Sequence, residues 1–466
     1  MHDNASTAAG AAVQRDRRKL QRLALATLCT AVLIAQVDTS VVNLAVHPIG
    51  AYFKAGVGSL QWVVDSYNLF YAILLLTGGL LADLYGRRRV FMTGAAVFTL
   101  ASLLCAFSPD IRILVGARAI SGIGAALLLP ASLAIIRVIW PDPKERGKAL
   151  GIWAACNGAA FAVGPTLGGL LIDEFGWRSI FLMVVPLGLA ALFMAPRYIP
   201  ESSDRKDRHF DATGQVLGAL TLGSLVVAAI ESQRFHTIAA AAFACALLAL
   251  ILFLKVEQKR GSGALIPPDM FRIRPFRGAM MATAGMTFGM YGTVFLLPLM
   301  WQSEGALGPA GAGLALMPMA LVYVLVSTFS GALESAFGTR FMTAGGVAVI
   351  GSGLLLIGLT AHTRSLGAAE AGLILTGIGM GLATGPLMGV AVGSVTAARS
   401  GSAAALINVA RMVGATLGVA ALGTVYTLAH DGTEGLYLAL LCGGGFQLTT
   451  AALAWRSIHP GHAPAV

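Results

Sequence analysis

The chain has 466 residues, 56% of them hydrophobic and only 12% charged, with a formal net charge of +10. So little polar surface cannot enclose a water-soluble core, whereas apolar runs of about 18 residues or more are the length of a bilayer crossing. A nucleic-acid binder is excluded because no basic stripe is interleaved with stacking aromatics. Five cysteines, each alone in an apolar run, exclude a disulfide framework and a thiolate metal site.

The first 19 residues are a basic tail, with no short apolar core and cleavage site behind them, so no cleaved signal peptide is expected. Apolar runs then recur near 20–46, 60–82, 90–107, 111–137, 147–171, 179–197, 213–231, 237–255, 278–301, 309–330, 341–361, 367–396, 403–428 and 434–455. That is about fourteen crossings. Backbone groups in hydrocarbon need internal partners, so each crossing is a helix and the fold class is all-α integral membrane. An even number returns both termini to one side. Of the 32 Lys and Arg, only Lys54, Arg112, Arg178, Arg234 and Arg364 fall in the alternate loops, and only Arg118 and Arg411 lie inside spans. The remainder crowd the side of the termini, which makes that side cytoplasmic in a plasma membrane. The net positive charge therefore orients helices and grips the anionic lipid of the bilayer.

The chain also repeats itself. Gly79-Leu80-Leu81-Ala82-Asp83-Leu84-Tyr85-Gly86-Arg87-Arg88 returns as Gly331-Ala332-Leu333-Glu334-Ser335-Ala336-Phe337-Gly338-Thr339-Arg340. Gly122-Ile123-Gly124 with Pro130 returns as Gly377-Ile378-Gly379 with Pro386, and Gly164-Pro165-Thr166-Leu167-Gly168 as Gly414-Ala415-Thr416-Leu417-Gly418. Near-constant spacing pairs span 2 with 10, 4 with 12 and 5 with 13. The expected organisation is a tail (1–19), a six-helix bundle (20–200), an inserted pair formed by spans 7 and 8 with its flanking loops (201–277), a second six-helix bundle (278–456) and a tail (457–466). Parallel repeats of this kind build transporters that rock two bundles about a midplane site.

These motifs resemble those of the major facilitator superfamily, and within it the fourteen-span drug:proton antiporter branch. The resemblance is carried by Asp38-Thr39-Ser40-Val41-Val42-Asn43-Leu44-Ala45-Val46-His47-Pro48, by Gln61-Trp62-Val63-Val64-Asp65-Ser66-Tyr67, by the loop Gly79 to Arg88, by Leu114 to Gly124 around Arg118, and by Gly158 to Gly169. The chain departs from the usual pattern at Leu84, where a basic residue is common, at Ser121, at Val184 and at His47. The resemblance implies a proton-coupled exporter of amphipathic drugs, antibiotics or related natural products, acting as a monomer in a bacterial plasma membrane. It also implicates Arg118 in proton transfer and ties the motif of Gly158, Gly164, Pro165, Gly168 and Gly169 to export.

The residues themselves support parts of that picture. Asp38 lies inside span 1, where a carboxylate costs about 2.5–3.5 kcal/mol on insertion scales and so faces a cavity or a partner. It either exchanges a proton or counters a cationic cargo, or else it is a hydrogen-bonded tie between helices. Arg118 is its expected partner, released by protonation or cargo, with a fixed structural bridge as the alternative. Asp65 lies near the outer face of span 2, as part of a proton-admitting vestibule or as a solvated interfacial acid. Gly79, Asp83, Gly86, Arg87 and Arg88 form the inner gate: Asp83 is expected to accept from the amides that open the next helix, and Arg87 to reach the opposite bundle. Proline bends span 5, and its glycines allow close packing.

A pocket between the bundles is expected from Asn43, from Trp153, Asn157 and Phe161 of span 5, from Phe288, Met290, Tyr291, Phe295 and Trp301 of span 9, and from Asn408 and Arg411 of span 13. Aromatic and methionine surfaces suit varied apolar molecules. Arg411, a charge inside a span, is expected to meet a carbonyl or an anionic group of the cargo.

No Gly-x-x-x-x-Gly-Lys-Ser/Thr run is present, which disfavours an ATP-driven pump, and no His-Glu-x-x-His or nucleophile elbow points to an enzyme. No catalytic, metal or cofactor constellation is expected. An uptake carrier for a specific metabolite, or a membrane sensor that transports nothing, are the competing readings.

Overall fold

The computed structural model describes residues 2–203, 211–232, 235–260, 268–396, 399–429 and 431–458, with side chains from residue 19 onward except at 143, 144, 157, 162, 268, 400 and 401. These residues form α1 (His2–Phe53), α2 (Val57–Tyr85), α3 (Arg87–Ala106), α4 (Ile111–Ile139), α5 (Pro143–Phe175), α6 (Ser179–Tyr198) and α7 (Ala212–Glu231). They continue with α8 (His236–Arg260), α9 (Arg274–Ser303), α10 (Pro309–Phe337), α11 (Gly346–Thr360), α12 (Leu366–Gly393), α13 (Ser400–Leu428) and α14 (Gly432–Ser457). A π-helical turn, Phe341–Gly345, runs into α11. All fourteen segments are long and apolar enough to cross a membrane.

Several helices overrun their apolar windows. α1 passes through Pro48 to Phe53, and α10 continues to Phe337. Hydropathy marks the stretch that sits in hydrocarbon, whereas backbone hydrogen bonding continues into the polar flanks.

The internal repeat is written into the packing. α2 and α3 are joined at Gly86 with φ +110°, and α10 and α11 at Gly338 with φ +83°, backbone that only glycine adopts freely. A Cβ on Gly122 of α4 would stand 2.4 Å from the Tyr67 carbonyl of α2, and one on Gly377 of α12 would stand 2.3 Å from the Met319 carbonyl of α10. Small residues thus seat α4 on α2 and α12 on α10 in the same way. Past each turn an arginine ties the next helix to the end of its bundle: Arg88 donates to the Ile199 carbonyl (3.2 Å) and Arg340 to the Trp455 carbonyl (2.6 Å).

The halves meet along two seams, α5 against α10 and α2 against α13. α7 packs on both α2 and α13, and α8 packs on α7. Trp62 of α2 donates to Glu231 at the end of α7, and Thr424 of α13 donates to the Ala229 carbonyl of α7 (2.8 Å).

Contact between the halves is concentrated on the face opposite the termini. There one hydrophobic core runs from Val41, Ile49 and Ile172 of the first half into Phe295, Leu316 and Val419 of the second. Toward the terminus face the first half closes on itself, around Leu28, Phe91, Ile135 and Ile199. α5 and α10 show the divergence directly. A Cβ on Gly169 would lie 2.5 Å from the Pro309 carbonyl, and one on Gly158 would lie 3.3 Å from Val324. Gly151 and Gly331, one heptad further along those same faces, have nothing within 4 Å. The cleft is open on the side of the termini.

Candidate transport site

Asp38 and Arg118 are brought together at the heart of the first half. Arg118 Nη1 donates to Asp38 Oδ2 at 2.5 Å, and both side chains are almost wholly buried. Arg118 Nε donates to the Val63 carbonyl at 3.1 Å, and its guanidinium lies 4.5 Å from the Tyr67 ring and 5.9 Å from that of Phe181. One arginine therefore fastens α1, α2, α4 and α6. A buried ion pair is stable only with such extra partners, and removing either member leaves a charge stranded.

Asp65 is fully buried, and neither carboxyl oxygen has a hydrogen-bond partner. This corrects the expectation of a solvated acid or an open vestibule. α2 starts at Val57, so Asp65 sits two turns inside the helix, with Ser66 and Asn68 beside it equally short of partners.

The expected capping role of Asp83 is also corrected, and Arg87 stays within its own half in this open state. Arg87, the first residue of α3, folds back across the Gly86 turn onto Asp83 in the last turn of α2 (2.8 and 3.0 Å) instead of reaching the other bundle, which stands away from it where the cleft is open. The amides of Arg88 and Arg89 at the start of α3 donate to Glu201 (3.1 and 3.2 Å), not to Asp83. Glu201 thus supplies the carboxylate that complements the helix dipole, and the Ser202 carbonyl accepts from Arg87 N at 2.8 Å. In the second half Glu334 accepts from Thr339 at 2.7 Å.

The span-5 motif is a double interface. A Cβ on Gly164 would lie 2.1 Å from Ser40 Oγ and one on Gly168 would lie 2.2 Å from Val41, both on α1. Gly169 and Pro165 abut Pro309 and Gly313 of α10. The motif packs α5 tightly against its own bundle on one face and the other bundle on the opposite face.

Between the halves, at mid-depth, one group of side chains converges. Phe161 of α5 stands edge-on to Tyr323 of α10, with ring centroids 6.2 Å apart. Tyr323, Phe161 and the buried Tyr291 of α9 belong to one packed cluster, and Tyr71 of α2 shares another with Met412, the residue that follows Arg411 on α13. Asn408 holds the guanidinium, accepting from Arg411 Nη2 at 2.6 Å. Thr287 donates to the Arg411 carbonyl.

Other expected pocket residues lie elsewhere. Phe295 is fully buried in the core of the second half, and Phe288 stacks on Phe446 of α14 (4.6 Å). Trp301 lines a separate cavity of about 400 Å3 at the opposite end, with Glu304 and Arg364. Met290 is buried. Asn43 is buried within α1, donating to the Thr39 carbonyl, and Trp153 donates to Ser132 of its own half. The Asn157 side chain lies outside the described residues. Reading the sequence missed Tyr71 and Tyr323, although the spacing that carries Gly79 onto Gly331 also carries Tyr71 onto Tyr323. Among the described residues no His, Cys, Asp and Glu side chains gather as a metal site.

Comparison with known proteins agrees with this architecture. Residues 28–419 match the family model described as Major Facilitator Superfamily. The multidrug resistance protein Stp of Mycobacterium tuberculosis is 35% identical over 83% of this chain and 72% of its own length. The multidrug efflux pump LfrA of Mycolicibacterium smegmatis is 34% identical over 87% of this chain and 81% of its own. A methylenomycin A resistance protein of Streptomyces coelicolor is 31% identical over 93% and 92%. The crystal structure of a bacterial homologue of the human lysosomal transporter Spinster, inward-facing and unoccupied, superposes with a TM-score of 0.68 at 17% identity, covering 94% of this chain and 97% of that one.

Proposed function

This chain belongs to the Major Facilitator Superfamily, and from that premise we propose that it exports amphipathic drugs, antibiotics or related natural products in exchange for protons. The observation that carries the reading is the buried Asp38–Arg118 pair, set beside a cleft between two repeat-related halves that opens on one face only. The relatives named as multidrug and antibiotic resistance proteins supply the direction of transport.

The cycle follows from the geometry. With the cleft open toward the termini, the Asp38–Arg118 ion pair is the proton-free form, and cargo settles among the mid-depth aromatics. Closure on this side and opening on the other lets cargo leave and a proton reach Asp38, which frees Arg118. Reversal returns the proton to the terminus side and re-forms the pair. Because this pair and its contacts join four helices of one half, its making and breaking is coupled to how that half packs. Asp65 is a second proton-coupling group on α2, and the Asp83–Arg87 pair closes against the opposite half when the cleft shuts. Residues 20–200 and 278–456 act as the moving bodies, with 201–277 between them. The arginine-rich face is cytoplasmic, and the protein works as a monomer in the bacterial plasma membrane.

The test is flux in everted vesicles with an imposed pH gradient, wild type beside Asp38→Asn, and with a proton-exchanging ionophore as control. Gradient-driven accumulation of cargo is expected in the wild type and not in the variant. Accumulation that survives both the ionophore and the substitution would end the reading.

A further inference from the structure

The mid-depth cleft holds two arginine-based features of opposite character. Arg118 is matched by Asp38, so that pair presents no net charge. Arg411 has no carboxylate partner among the described residues. Its only side-chain hydrogen bond there is to the Asn408 amide oxygen, and its Nε is buried with no acceptor. An arginine carries five N–H donors in a planar fork, so most of its capacity is unspent. A charge inside a span is costly and marks an ion or substrate path unless it is paired. Asp65, the nearest unpaired acid on α2, sits six residues from Tyr71, about 9 Å along the helix axis at 1.5 Å per residue.

The surroundings of Arg411 are those of a receptor for an acid. Asn408, one turn earlier on α13, fixes the guanidinium through Nη2 and is itself anchored to the Ala404 carbonyl at 2.8 Å. Tyr71, packed with Met412 beside Arg411, and Tyr291, on the α9 helix that packs against α13, offer hydroxyl donors. Phe161 and Tyr323 face them as an apolar wall. A low-dielectric cleft lined by one sign of charge concentrates the opposite sign, and a guanidinium fork matches a carboxylate in geometry.

We infer that the cargo is an amphipathic anion, with an aromatic or alicyclic body against Phe161 and Tyr323 and a carboxylate or equivalent oxyanion on Arg411. This deepens the export reading and rests on it for the identity of the bound molecule as cargo. Arg411 is then the residue that decides specificity by charge, while Asp38 and Arg118 serve the proton.

The test uses one ring system with two head groups, pyrenebutyrate and a pyrenebutyl trimethylammonium salt. Binding is measured on purified protein in nanodiscs, and gradient-driven uptake in everted vesicles, for wild type, Arg411→Gln and Arg411→Lys. The wild type is expected to bind pyrenebutyrate at least about tenfold more tightly than the cation. Arg411→Gln removes that preference, Arg411→Lys keeps part of it, and neither substitution weakens binding of the cation. A wild type that prefers the cation, or pyrenebutyrate binding that Arg411→Gln leaves unchanged, overturns the inference. The two readings fail separately. Export of the cation driven by the gradient without binding of the anion would sink the inference and leave proton-coupled export standing. Arg411-dependent binding of the anion without gradient-driven flux would do the reverse.

Discussion

Arg118 fastens four helices through one guanidinium, and the consequences of losing it differ from those of losing its partner. Arg118→Leu strands Asp38 and the Val63 carbonyl in a buried site, and is expected to cost about 3–5 kcal/mol. Asp38→Asn keeps an oxygen for Nη1 to donate to, so its melting temperature should fall by less. Thermal unfolding of both variants in detergent checks the order, and a larger drop for Asp38→Asn would show that the carbonyl and the rings do not suffice to hold the arginine and that the carboxylate charge does. Glu201 is a smaller case. Glu201→Ala frees the two amides that open α3, at about 1 kcal/mol for each hydrogen bond, and should speed proteolysis at the Gly86 turn while leaving cargo binding intact. Asp38 and Arg118 were legible in the sequence because charges inside apolar runs announce themselves. Glu201 was not, because its partners lie more than a hundred residues upstream and a carboxylate in a polar loop carries no signal of its own. Phe295 and Phe288 show the converse limit. An aromatic inside a span advertises burial, but the side of the helix it occupies is set by neighbours that the local sequence does not name.

Helices were more legible than residues. Hydropathy was enough to give the number of spans, and the glycine-rich motifs marked where helices pack closely, because both respond to strong constraints: satisfaction of the backbone in hydrocarbon, and close packing that tolerates no side chain. Helix ends were less so, since nothing in an apolar window records where hydrogen bonding stops. The contact between α5 and α10 makes a direct prediction. A Cβ on Gly158 would lie 3.3 Å from Val324 Cγ2, so Gly158→Cys with Val324→Cys is within disulfide reach. With the exposed Cys245 and Cys442 replaced, oxidation should lock this seam, abolish flux and keep the cleft open toward the termini, and reductant should restore transport. Unchanged flux in a fully cross-linked sample would mean that this seam does not part during the cycle.

At the scale of the molecule, the described state is one of at least two that the same chain must support. Gly151 and Gly331 face open space in it, whereas Gly169 is pressed against α10. A membrane-impermeant maleimide applied from the terminus face should therefore modify Gly151→Cys rapidly and Gly169→Cys slowly. Equal rates would contradict an opening confined to that face. The sequence could not say which state would be seen, since its patterns must suit both within a few kcal/mol.

Of the two seams where the halves join, the one between α2 and α13 is covered by α7, with α8 behind it, and among the described residues no further helix covers the one between α5 and α10. A molecule dissolved in the surrounding leaflet therefore finds a shuttered flank at α2 and α13 and an unshuttered one at α5 and α10. Any traffic from the leaflet into the cleft would therefore pass between α5 and α10, where Gly151 and Gly331 face open space on the terminus side.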